Sequence, residues 1–518
     1  MNSRFKTSII AALALTTFSL AGCSVASSQD TSSQTSTVSS STGSGEQTNT
    51  ANASSDLGSG LTAFLADNTT SHAEAGDADY DATSATKITL SNEDVTITEP
   101  GTYVLSGTLT DHSVRVASEA EGKVRLVFDG VTISSSTDSP VVVTAADEVV
   151  IVLADGSTNK ITDNADHSQA KTNSDAPDAA IFSMADLTIT GTGSLQVTST
   201  TGDGIGTKDG LVVQSGTLAV KAADDAVRGK DYVVIDGGVL ELTAAQDGIK
   251  STNEDDDTVG YVYLNGGQIS ISAGDDGIHA EGDLVIAGGT TKITTSVEAI
   301  EGANVVIAGG MTTATSSDDG LNATSGNTTS GNGMGENDGS QMILMGGEIT
   351  VNASGDGLDS NGTITMTGGV VTVNGPTAGA NGSIDASSMD ISGGTLAVGG
   401  TSQMAMTPST NSEQGWVSMS GSFSAGDTIT VSDGSTTLMT YTLGVASQVV
   451  VLSTESMTPG TEYTVTVNGS DSTRVVANSG ELSSMGSGGM PPGGGGGGMP
   501  PGGSGGGMAP GAGKGRPA

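Results

Sequence analysis

Hydrophobic and polar positions obey one phrase between Gly202 and Ser360: acidic, small, aliphatic. It returns as Asp203-Gly204-Ile205, Asp225-Ala226-Val227, Asp247-Gly248-Ile249, Asp276-Gly277-Ile278, Glu298-Ala299-Ile300, Asp319-Gly320-Leu321 and Asp356-Gly357-Leu358. The aliphatic residues stand 22, 22, 29, 22, 21 and 37 positions apart. The period is therefore near 22 with two insertions, the mark of a solenoid. An apolar triplet follows each phrase (Leu211-Val212-Val213, Val233-Val234-Ile235, Leu284-Val285-Ile286, Val305-Val306-Ile307), and then usually a Gly-Gly corner such as Gly237-Gly238 or Gly288-Gly289. Next comes a strand of alternating pattern, carried by Leu240 and Leu242, Ile269 and Ile271, Ile349 and Val351, Val371 and Val373. Three short strands and three turns fill each repeat and leave no room for a helix. The pattern predicts an all-β, right-handed parallel β-helix with about 22 residues per coil. Both insertions follow the phrase at Ile249 and at Leu321, so both should bulge from one face of the coil.

Stacking turns the phrase into chemistry. Coils about 4.8 Å apart bring one residue per coil into a column, and the acidic positions become seven carboxylates in line. Two unit charges at that spacing repel by roughly 1 kcal/mol in water and several-fold more near a protein surface. Divalent cations relieve such a column, and oxygen ligands without a His or Cys cluster point to Ca²⁺. The candidate metal ligands are Asp203, Asp225, Asp247, Asp276, Glu298, Asp319 and Asp356, with Asp224, Asp275 and Asp318 adjoining the column; two further acids, Glu301 and Asp359, follow it by a few residues and are not counted among the ligands. A plainer reading stays open, in which Asp-Gly is turn chemistry; Glu298-Ala299 keeps the charge without the turn preference and favours ligation.

The ends read differently. Arg4 and Lys6, an apolar run from Ile9 to Leu20, and Leu20-Ala21-Gly22-Cys23 have the layout of a secretory signal too short to span a membrane. The ending resembles a bacterial lipobox, which implies cleavage before Cys23 and lipid on that residue. The expectation is a lipoprotein on the extracellular face of the membrane, held by its N-terminal lipid. Residues 23–85 read as a Ser/Thr-rich flexible tether, with a short helical piece around Leu61 to Leu65. Residues 86–400 form the β-helix, its first coils less regular. Residues 401–478, with strands at Trp416 to Met419, Thr428 to Val431, Leu438 to Leu443, Val449 to Leu452 and Tyr463 to Val467, form an antiparallel cap over the last coil. The Gly, Pro and Met-rich tail 479–518 reads as disordered.

Charge narrows the partners. Against 58 Asp plus Glu stand 17 Lys plus Arg, a formal charge of −41, which disfavours nucleic acid and any polyanion bound without help. Aromatics make up 3% of the chain, so no row of flat rings for neutral sugar faces is expected. The scarce basic residues gather: Arg228, Lys250 and His279 follow the phrase on consecutive coils, with Lys208 and Lys230 nearby. They are either salt-bridge partners of the acidic ladder or, with calcium, the groups that receive a uronic-acid polymer. Tyr261 and Tyr263 lie beside the first insertion, with packing the expected role for at least one.

The phrases Gly101-Thr102-Tyr103-Val104-Leu105-Ser106-Gly107 and Val124-Arg125-Leu126-Val127-Phe128-Asp129-Gly130-Val131, the Asp-Asp-Gly-Ile coils and the Met-Pro-Pro-Gly-Gly tail together resemble a family of bacterial carbohydrate-binding β-helix proteins. That family is similar, more remotely, to the pectate lyases of polysaccharide lyase family 9. The resemblance covers roughly residues 87–475. It implies calcium binding and attachment to polygalacturonate-like pectin, with Asp203, Asp225, Asp247 and Asp276 as calcium ligands. Three functions stay open: a monomeric surface binder of acidic polysaccharide, a calcium-dependent lyase using Lys250 or Lys208 as base with Arg228 assisting, and a calcium-stabilised structural adhesin.

Overall fold

The computed structural model describes residues 72–256, 258–325 and 337–480, together with the short strands Val38–Ser40 and Ser483–Ser484. Those residues form a parallel β-helix of three strand columns. Sheet 1 carries the repeated phrase, and its register stacks Ile205 on Val227, Val227 on Ile249, Ile249 on Ile278, Ile278 on Ile300, Ile300 on Leu321, Leu321 on Leu358 and Leu358 on Ile384. The spacing of the phrase in sequence is thus the register of the coil. Sheet 2 carries the apolar triplets, Val212 beside Val234 and Val234 beside Tyr263. Sheet 3 carries the alternating strands, Leu242 beside Ile271 and Ile271 beside Ile293.

Inward side chains from all three sheets make one continuous core running from Leu90 to Val451. In one coil Ile249, Val262, Leu264, Ile269 and Ile271 are all buried, each contributing roughly 1.5–3 kcal/mol of transfer free energy. The corner between sheets 2 and 3 needs glycine. Gly289 has φ +79°, and a Cβ there would sit 2.7 Å from the backbone of Gly266 and Gly267 in the coil below, a conformation and an approach open only to glycine. Both insertions leave sheet 1 at the same place, after the strands Ile249–Ser251 and Leu321–Ala323.

The parallel stack ends in an antiparallel one. Strand Ser447–Thr454 pairs antiparallel with Thr395–Gly400, the last strand of sheet 3, and with Trp416–Phe423 on its other side. Trp416 completes the coil core and donates Nε1–H to the Ser409 carbonyl at 3.0 Å. A second sheet of Val38–Ser40, Thr436–Thr442, Thr428–Asp433, Glu462–Val467 and Asp471–Val476 packs through Ile429, Val431, Tyr441 and Val465 onto Val417 and Leu452. The strand Asp471–Val476 is absent from the sequence reading because polar residues interrupt its pattern.

Residues 72–85 depart from the tether expected up to residue 85. They form a strap along the outer face of sheet 2, with Tyr80 on Val104, Val127, Val150 and Val152 and Ala73 on the cluster around Val212 and Tyr232. Asp77 fixes it, bonded by Lys123 Nζ at 2.7 Å and by Gln214 Nε2 at 2.8 Å. The cause is legible in the triplets, which are apolar at every position: such strands are buried on both faces. Tyr261 and Tyr263 are both buried there; the His72 ring lies flat on Tyr232, centroids 4.1 Å apart, and its Nε2 meets the Tyr261 hydroxyl at 2.7 Å. The expected helical piece Leu61 to Leu65, Cys23 and the tail beyond residue 484 lie outside the described residues. Among the described residues no helix is long and apolar enough to cross a membrane.

Candidate functional site

The outer face of sheet 1 presents two columns side by side. The first is the acidic position of the phrase. Its members bond to one another through the backbone: the N–H of Asp225 donates to Asp203 Oδ1 at 3.1 Å, Asp247 to Asp225 at 3.0 Å, Asp276 to Asp247 at 2.8 Å and Glu298 to Asp276 at 3.3 Å. Among the described residues this ladder breaks at Glu298, whose longer side chain turns to Asn322 Nδ2 instead. It resumes with Asp356 N–H on Asp319 Oδ1 at 2.5 Å and Gly382 N–H on Asp356. One carboxylate oxygen per Asp is therefore spent on turning the next coil, and the other is free for a cation.

The second column is the residue after the aliphatic one. Registered in order are Arg228, Lys250, His279, Glu301, Asn322, Asp359 and Asp385. Its sign changes part-way along, and that change divides the site.

In the first half protein cations meet the second carboxylate oxygens. Arg228 reaches Asp203 and Asp178, both at 2.6 Å, Lys208 reaches Asp178 at 2.8 Å and Lys250 reaches Asp247 at 2.5 Å. His279 lies 3.1 Å from Asp276 and 3.4 Å from Glu301. Burial alone would lower Lys250 and His279, but the carboxylates around them win: Lys250 is held above its usual value and His279 is pushed up to about 12. Burial pushes the Asp203 and Asp225 carboxyls up, and Arg228 and Lys250 oppose it. Lys230 is half-buried and forms no ion pair among the described residues. Asp178, which anchors two of the cations, stands outside the repeated phrase, and periodicity could not flag it.

In the second half there is nothing to meet them. No Lys, Arg or His occurs between Lys292 and Arg474. Asp319, Asp356 and Asp359 each place a carboxylate oxygen within 4.8 Å of the others. Burial followed by the neighbouring carboxylates pushes Asp359 up to about 7, and burial pushes Asp319 up to about 6 and Glu298 up to about 8. Asn322 is 8% exposed, and while its Nδ2 serves Glu298, its buried Oδ1 has no hydrogen-bond donor. Three further groups bring acids within the same reach: Asp203, Asp224 and Asp225; Asp247, Asp276 and His279; Asp276, Glu298 and Glu301. Asp275 and Asp318 are exposed and join no such group among the described residues. The chain thus has acidic groups able to hold a metal ion. Asn322 and Asp385 escaped the sequence reading because the second column was followed only as far as its three basic members.

Comparison with known proteins adds the family. A family model described as carbohydrate-binding domain-containing protein matches residues 91–373. The chain belongs to that family. The matched span covers every coil from the first irregular ones to Val373, including all seven acidic phrases. A carbohydrate-binding domain-containing protein of Acetivibrio thermocellus is 37% identical over 135 residues, 26% of this chain and 47% of its own length. The chain thus spans about half the length of that family member. A solved structure described as the polysaccharide lyase-like protein from C. thermocellum, gadolinium derivative, is 32% identical and covers 44% of this chain and 92% of its own, with a TM-score of 0.38.

Proposed function

We propose that this member of the carbohydrate-binding family takes an acidic polysaccharide of the pectin or polygalacturonate class through calcium ions held along the outer edge of sheet 1, at the bacterial cell surface, with Cys23 as its lipid-bearing residue. The observation that carries the reading is the unbalanced second half of the column: Asp319, Asp356 and Asp359 face one another with no basic side chain in the surrounding sequence, and Asn322, registered on Asp359 in the neighbouring coil, has a buried carbonyl without a donor. Carboxylates plus one amide oxygen are a hard, oxygen-only set of the kind calcium takes, six to eight at a time in flexible geometry. Asp385 and Glu301, next in the same register, extend that set. A bound calcium ion would offset two of the three carboxylate charges and offer open positions to sugar carboxylates. The chain's own part is to space the acids at the coil repeat and to exclude competing cations by placing Arg228, Lys250 and His279 only in the first half.

The same contacts favour binding over cleavage. A lyase base must give up its proton near neutral pH to remove one from sugar C5, whereas Lys250 is held protonated by Asp247 and Asp225, and Lys208 is paired with Asp178. The test is retention on immobilised polygalacturonate, xylan and cellulose with calcium and with chelator, alongside absorbance of unsaturated product. Calcium-dependent retention on polygalacturonate without product growth is expected. Retention on cellulose indifferent to chelator contradicts the calcium bridge, and product growth that vanishes in Lys250→Ala contradicts the binding assignment.

A further inference from the structure

The strap over sheet 2 is held by polar side chains arranged as an acyl-transfer site rather than as a plain ion pair. Lys123 lies on sheet 2, registered on Glu148 in the next coil. Its Nζ is 2.7 Å from Asp77 Oδ1, 2.9 Å from Glu148 Oε2 and 3.0 Å from Glu74 Oε2. The strap turns at this point, with the Asp77 N–H bonded to the Glu74 carbonyl at 3.2 Å. Only 1% of the Asp77 side chain is exposed, against 19% of Lys123 and 20% of Glu148. Further along the strap Tyr80 packs on Val104, Val127 and Val150 and presses the segment onto the sheet.

The two oxygens of Asp77 have different surroundings. Oδ2 accepts two hydrogen bonds, from the Glu74 backbone N–H at 2.9 Å and from Gln214 Nε2 at 2.8 Å. Both distances suit donors that stabilise the negative charge of a tetrahedral intermediate. Oδ1 faces the amine. The carbon between them is polarised from one side and approached from the other. Glu148 supplies the third part: burial pushes its carboxyl up, so a group able to take up and return a proton touches Nζ. Burial alone would lower Lys123, but the carboxylates around it outweigh burial and hold it above its usual value. The resting state is thus an ammonium beside a carboxylate, and a neutral amide in its place removes the cost of keeping two charges out of water.

We propose that Lys123 and Asp77 join in an isopeptide bond that fixes the strap covalently to the first coils. Glu148 takes one proton from Nζ and passes it to Asp77 Oδ1, leaving a neutral amine beside a neutral acid. Nζ then attacks Cγ, and the charge that develops on Oδ2 is held by the Glu74 N–H and Gln214. A second proton follows the same route from Nζ to Oδ1, the Cγ–Oδ1 bond breaks and one water leaves. The ammonium and carboxylate charges cancel, so no net proton is released and no co-reactant is consumed. Contact between the groups makes the step intramolecular. The link closes a ring between positions 46 apart, and a pull on the N-terminal end then reaches the coil through a covalent bond. It is independent of the calcium reading, since none of these residues lies on sheet 1.

The test is peptide mapping by mass spectrometry of the full chain, folded and aged at neutral pH, then denatured and digested. A branched peptide joining the segments that carry Asp77 and Lys123 is expected, lighter by one water than the two together. Recovery of both residues only in linear peptides overturns the proposal. Lys123→Arg keeps the ion pair without the amine and should lose the branched peptide, with circular dichroism showing the coil intact. Glu148→Gln keeps the shape and removes the proton carrier, and should slow the appearance of the branched peptide roughly a hundredfold or more. Linking at an unchanged rate in Glu148→Gln, or in a chain held unfolded in urea, contradicts the preorganised site.

Discussion

Asp359→Asn should stabilise the metal-free protein and weaken its response to calcium. The oxygens of Asp319, Asp356 and Asp359 lie within 4.8 Å of one another. Two unit charges at that distance repel by about 0.9 kcal/mol at the dielectric of water and about 3.5 kcal/mol at the effective dielectric of a protein surface. The cluster is half-buried, and Asp359, pushed up to about 7, is itself partly protonated at neutral pH. Removing its charge while keeping its shape should therefore raise the unfolding free energy by about 1–3 kcal/mol in chelator. With calcium at a hundred times its dissociation constant the wild-type chain gains about 2.7 kcal/mol from mass action, and the variant, short of one ligand, should gain less than half of that. Urea unfolding at pH 7.5 in chelator and in excess calcium reads both numbers. An Asp359→Asn chain less stable than wild type in chelator refutes the repulsion argument; an undiminished calcium gain refutes the assignment of the ligand.

Other outcomes follow from the same contacts. Glu298, Asp319 and Asp359 sit at about 8, 6 and 7 in the folded chain, above unfolded carboxylates near 4. Through that window the folded state binds more protons, so chelated protein should lose stability as pH rises from about 4 to about 8, and calcium should flatten the slope in a pH series of melting curves. Lys250→Met leaves the buried Asp247 without its partner and should cost about 2–4 kcal/mol in urea unfolding without changing calcium affinity. Gly289→Val forces a Cβ into the coil below at φ +79° and should cost about 2–4 kcal/mol, measured the same way. Asp77→Ala removes the pin between the strap and Lys123 and should make limited proteolysis between residues 72 and 85 markedly faster.

The coil was legible because its physics is periodic. One aliphatic residue per turn must point inward, so the spacing of Ile205, Val227, Ile249 and their successors is the register itself. The acid column was legible for the same reason, since a fixed offset from an inward residue is a fixed place on the surface. Its internal division was not. The acids repeat uniformly, and only the second column, in which Arg228, Lys250 and His279 give way to Glu301, Asn322 and Asp359, distinguishes a half with built-in counter-ions from a half without. Asp178 and the strap are non-periodic, each placed by a loop or a terminal segment folding back. The doubly apolar triplets of sheet 2 carry the mark of strands buried on both faces, a signal that the expectation of a flexible tether up to residue 85 passed over.

Calcium titration calorimetry on two triple variants bears most directly on the account. Asp319→Asn with Asp356→Asn and Asp359→Asn should abolish the tightest calcium binding, whereas Asp203→Asn with Asp225→Asn and Asp247→Asn, whose positions already face Arg228 and Lys250, should leave it in place. Unchanged binding in the first variant and loss in the second would show that the ion sits where the chain already supplies its own cations, and the account would be wrong.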